Sequence, residues 1–105
     1  MTEIIFFTDD DVLTGFSMQG HTEFADQGED IVCAALSSAA FLTVNTITDV
    51  MFLEPVLLNC VDALMQLQLS SKDAREAEVL LKGFKLHIEN LAEQYGDYIK
   101  IKIRR

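Results

Sequence analysis

The sequence predicts a two-layer α+β sandwich: a largely antiparallel sheet with two helices on one face, in the order ββαββαβ. Three observations carry this. Short stretches near both ends alternate apolar and polar residues, two longer stretches have helical character, and clusters of Asp, Ser and Gly mark the junctions. Helices laid on one sheet face bury both kinds of apolar surface at once. With 105 residues, half of them hydrophobic, the chain is read as one domain, 1–105, around one core.

Residues 3–8 are apolar, β-branched or aromatic and read as a strand. Asp9, Asp10 and Asp11 follow, and short acidic side chains that bond their own backbone favour a turn. Residues 12–20 form the second strand of a hairpin, with Phe16 and Met18 on one face and Ser17, Gln19 and His21 on the other. Residues 22–29 lack periodicity and read as a loop. A helix is expected from Asp30 until just before Pro55, because the residue preceding proline avoids helical angles. It is apolar around most of its circumference, which predicts cover on more than one side. Asn45, Thr46, Thr48 and Asp49 interrupt it, so it is not read as crossing a membrane.

Residues 56–60 and 64–69 are two further strands joined near Asp62, with Cys60 assigned to the core. Ser70 followed by Asp73 resembles a capping box. The helix it starts carries one apolar stripe, Ala77, Leu80, Leu81, Phe84, Ile88, Leu91 and Tyr95, and Gly96 is expected to close it. Residues 98–103 form the last strand, with Ile99, Ile101 and Ile103 inward and Lys100 and Lys102 outward.

Lys and Arg number 8 against 17 Asp and Glu, a net charge of −9. That balance opposes direct binding to nucleic acid, which needs clustered cations, and favours a basic partner. The apolar half of the composition exceeds what so small a domain hides, so a homodimer is expected. The start, MTEIIFFTDDD, has no basic leader. Two cysteines without an export signal fit reduced thiols in the cytoplasm.

The chemistry concentrates in GHTEFADQGEDIVCAA, residues 20–35. With Asp30 as N-cap, Cys33 falls in the first helical turn, where unpaired N–H groups favour a thiolate and can receive the oxygen of a tetrahedral intermediate. His21 stands 12 residues earlier at a strand end and suits proton transfer near neutral pH. The bland alternative is a small buried cysteine and a surface histidine. A metal site lacks its third and fourth ligands, and no cofactor is implied.

Gly20-His21, then GEDIVCAALS from Gly28 to Ser37, resembles the signature of the ribosomal-processing cysteine protease family, Prp. The resemblance implies a cytoplasmic homodimeric endopeptidase. Such enzymes remove a short N-terminal extension from the precursor of large-subunit ribosomal protein twenty-seven, cutting after two phenylalanines and before a basic stretch. It makes Cys33 the nucleophile and His21 the general base and acid, with Asp30, Ser37, Gly20 and Gly28 in support. Beside the resemblance, the carboxylates of Glu23, Asp26 and Glu29 would attract the basic product side, or else belong to a solvated loop. Gly28 would let the loop hinge over substrate. Ser37, one turn past Cys33, either steadies the thiol or bonds the carbonyl of residue 33. The rival reading is a non-catalytic acidic module or chaperone that docks on a basic ribosomal protein.

Overall fold

Alternation of buried and half-buried residues makes Thr2–Asp9 strand β1, with Thr2, Ile4 and Phe6 turned to the core. Val12–Gln19 returns antiparallel as β2, through a turn in which Asp10 and Asp11 take φ of +50° and +64°. Aspartate tolerates that left-handed geometry better than most residues, which is why this triplet can reverse the chain without glycine. The computed structural model describes residues 1–20, 27–61 and 64–105, and of residues 27–30 the backbone only.

Helix α1 runs Gln27–Asn45 and continues into a π-helical turn, Thr46–Val50, closed by the Met51 N–H on the Thr46 carbonyl. The helix therefore starts three residues before the expected N-cap, Asp30. Strands β3, Leu57–Val61, and β4, Leu64–Gln68, form the second hairpin; Asp62, where the join was expected, lies outside the described residues. Ser70 caps α2, Ser71–Glu76, accepting the Asp73 N–H at 3.2 Å as the capping motif predicted. The predicted second helix is broken once. A buried Ala77 at φ −93°, ψ 8° separates α2 from α3, Glu78–Gln94. Gly96 follows α3 but does not take a positive φ, so the expected left-handed closure is absent.

Strand β5, Ile99–Arg104, lies parallel to β1, while every other pairing is antiparallel. The order across the sheet is β3-β4-β2-β1-β5. One face carries Ile4, Phe6, Phe16, Met18, Met65, Leu67 and Ile99, packed with Val32, Leu36, Ala40, Val44 and Ile47 of the first helical segment and Leu81, Phe84 and Ile88 of α3. Phe84 meets Phe6 edge-on at 5.8 Å between centroids and Phe16 at 4.6 Å, spacings at which aromatic pairs attract beyond simple burial. By length and composition Ile31–Val50 is apolar enough to cross a membrane, yet here its inward stripe sits in this core.

Two expectations about burial change. Cys60 is exposed, because β3 is the outermost strand of the sheet and is exposed along most of its length. Ile103 is exposed near the end of the opposite edge. The first helix is covered by the sheet and by α3, as its apolar circumference predicted, although Phe41 and Leu42 stand out from it.

Candidate active site

Cys33 projects from α1 on the same inward stripe as Val32 and Leu36 and is 8% exposed. Since α1 begins at Gln27, Cys33 is its seventh residue and lies in the second turn, not the first. The unpaired N–H groups of a helix are those of its first four residues, here 27–30. The N–H of Cys33 falls within the ladder, and the dipole effect fades beyond the first turn. Helix-end stabilisation of the sulfur, and the reception of an oxyanion there, are thus weaker than the sequence implied.

The group beside the sulfur is instead a hydroxyl. Cys33 Sγ is 3.6 Å from Thr2 Oγ1, and Thr2 is itself 5% exposed. Either atom is able to donate while the thiol keeps its proton. Thr2 is fixed from behind, because its N–H donates to the Tyr98 carbonyl at 2.8 Å. Gly20 closes the same corner. Its φ is +116°, and a Cβ there would collide with the Met1 carbonyl oxygen and press on the Thr2 Cα. Only glycine lets β2 leave the sheet so close to the start of β1.

The described residues thus bring Cys33, Thr2 and Gly20 to one end of the sheet. His21 follows Gly20 directly in sequence, but it lies outside the described residues, as do Glu23 and Asp26. Gly28, Glu29 and Asp30 belong to the first turn of α1 rather than to a loop and an N-cap. Gly28 is therefore not a loop hinge. Ser37 is half-buried one turn beyond Cys33, and among the described residues its hydroxyl makes no hydrogen bond to the carbonyl of residue 33. Thr43 and Thr48 do bond carbonyls four residues back.

Thr2 was not read from the sequence. Its signal was a hydroxyl in register with Ile4 and Phe6, on a face that otherwise buries only hydrocarbon. Of the candidate pockets for two phenylalanine side chains, Phe41 is exposed, Met51 packs against the core, and Phe24 is outside the described residues. Among the described residues no three His, Cys, Asp or Glu side chains gather as metal ligands. A free thiol held beside a buried hydroxyl supplies the nucleophile that acyl transfer through sulfur requires.

The family model described as cysteine protease Prp matches residues 1–100. A ribosomal processing cysteine protease Prp of Bacillus subtilis (strain 168) is 27% identical over 94 residues, 85% of this chain and 84% of the relative. One from Staphylococcus aureus (strain Mu50) is 27% identical over 106 residues, 99% of each chain. Among solved structures, an essential ribosomal processing protease Prp from S. aureus, in complex with a substrate peptide, superposes with a TM-score of 0.87 at 24% identity, over 98% of this chain and 99% of that one. SMU.848 from Streptococcus mutans does so with 0.84 at 26% identity, over 100% and 96%.

Proposed function

The chain belongs to the Prp family of ribosomal-processing cysteine proteases, and from that premise we propose that it cuts the precursor of large-subunit ribosomal protein twenty-seven, with Cys33 as nucleophile and His21 as proton carrier. The observation that carries the residue assignment is the meeting of Cys33 with Thr2 at the corner where Gly20 hands the chain on to His21. Ionised Sγ attacks the scissile carbonyl carbon, forming a C–S bond and an oxyanion. Collapse breaks the C–N bond as protonated His21 gives its proton to the leaving amine. Water, losing a proton to His21, then splits the thioester and frees the trimmed extension as a carboxylate.

Mixing the precursor with wild type or with Cys33→Ala tests this on a gel. Wild type yields a shortened protein whose new N-terminus, read by mass spectrometry, follows the two phenylalanines. An intact precursor with wild type, or cleavage that survives Cys33→Ala, overturns it. Glu23, Asp26 and Glu29 guide the basic product side electrostatically. Replacing them by Gln or Asn lowers kcat/KM at low salt, and an unchanged value removes that role.

The protease works as a homodimer, and its self-contact lies on the β3 edge. Eight of the thirteen exposed large apolar side chains among the described residues fall between Phe41 and Val61. Phe52, at a left-handed φ of +56°, holds its ring 81% exposed among them. A standard interface takes about 800 Å² from each partner. Leu57–Val61 also carries no charge, whereas the other edge, β5, carries Lys100, Lys102 and Arg104; charge on an edge strand is what discourages pairing. Both cysteines being free supports a reducing, cytoplasmic setting.

A further inference from the structure

We propose that Thr2 is a positioning residue for the reaction. Its hydroxyl donates to the Cys33 sulfur once the thiol has lost its proton, and so holds the anion in place for attack. The inference rests on the reading of Cys33 as the nucleophile.

Three observations converge on it. The two atoms are 3.6 Å apart with both residues buried, so water competes little for either. The hydroxyl has little freedom to turn away. Thr2 is β-branched and stiff at χ1, its N–H is bonded to the Tyr98 carbonyl, and the backbone of Gly20 packs against it. Finally, α1 begins at Gln27, so the free N–H groups of the helix end belong to residues before Cys33 and a local donor is needed.

The contact discriminates between the two forms of the sulfur. While the proton is present the hydrogen bond can run either way. A thiolate has no hydrogen to give and can only accept, and a bond to a charged acceptor is stronger than one to a neutral acceptor. The hydroxyl therefore favours the reactive form and points one lone pair of it. No proton leaves Thr2 in this role.

The test compares Thr2→Val, which keeps the shape and loses the hydroxyl, with Thr2→Ser, which keeps the hydroxyl and loses the methyl. The rate at which iodoacetamide alkylates Cys33 is followed across pH by peptide mass spectrometry, which separates it from Cys60. Cleavage of a peptide spanning the cut gives kcat and KM in parallel. At neutral pH, Thr2→Val should slow alkylation of Cys33 about tenfold, with the rates converging at alkaline pH where both proteins hold an ionised sulfur. In the same variant kcat falls by a similar factor with KM unchanged, and Thr2→Ser stays within about twofold of wild type on every measure. Equal alkylation of Thr2→Val and wild type at neutral pH overturns the proposal. So does a Thr2→Ser as slow as Thr2→Val, since the methyl would then be what matters. If Thr2→Val fails to fold, Thr2→Ala against Thr2→Ser makes the same comparison. Alkylation reads the sulfur whether or not the chain cleaves peptide. A wild type that cuts nothing but shows the alkylation difference defeats the protease assignment alone, and normal cleavage without that difference defeats the role of Thr2 alone.

Discussion

Cys33 and Cys60 carry the same thiol in opposite settings. Cys33 is turned inward from α1 against the hydroxyl of Thr2, whereas Cys60 stands exposed on the edge strand β3, opposite Met65. Cys60 has access and, among the described residues, no directed partner. Cys33 has a directed partner and little access. A thiol used on one substrate is better served by the second arrangement, because orientation and a donor for the anion raise its reactivity toward a group held in register. The exposed thiol offers only a target for reagents and oxidants.

The largest effect expected from this contrast is on catalysis. Cys33→Ala should lower kcat/KM on the order of ten-thousandfold, while Cys60→Ala stays within about twofold; a large loss from Cys60→Ala would end the distinction. Next comes stability across the same pair of strands. Leu67 is fully buried and its ladder partner Leu58 is 41% exposed. Urea unfolding at concentrations too low for self-association should show Leu67→Ala losing about 2–5 kcal/mol and Leu58→Ala under about 1 kcal/mol. Comparable losses would mean that Leu58 is covered within a single chain. The third effect is on assembly. On the dimer proposed above, Leu58→Lys places a charge in the apolar edge and should leave a monomer by sedimentation, with faster alkylation of Cys60 as the partner's cover is lost. A dimer that persists moves the interface elsewhere. The smallest concerns the other edge. Lys102 lies 3.6 Å from Glu3 with both side chains part-exposed, so Glu3→Gln should cost at most about 1 kcal/mol by the same urea measurement.

The strands were legible where alternation was strict. In residues 64–68 and 99–102 the period-two pattern matches burial almost residue by residue. The start of α1 was misplaced because Gln27, Gly28 and Glu29 have no apolar periodicity, and Asp30 looks like a cap. The break at Ala77 gave no sign, since alanine is a strong helix former and only local geometry reveals it. Cys60 was assigned to the core because a strand's own residues do not say whether it is an edge. That depends on β3 lying outermost, a long-range outcome. The parallel seat of β5 beside β1 is of the same kind. At the site, Cys33 and the corner glycine were readable, whereas Thr2 emerges only when β1, α1 and β5 are assembled.

The hydrogen bond from Thr2 to the carbonyl of Tyr98 has a consequence in time. It joins the second residue to the ninety-eighth, so the neighbour of Cys33 is held only once the chain has been made as far as β5. A nascent chain still lacking β5 holds Thr2 without its anchor. On the role proposed for Thr2, full activity therefore waits for β5 to pair with β1.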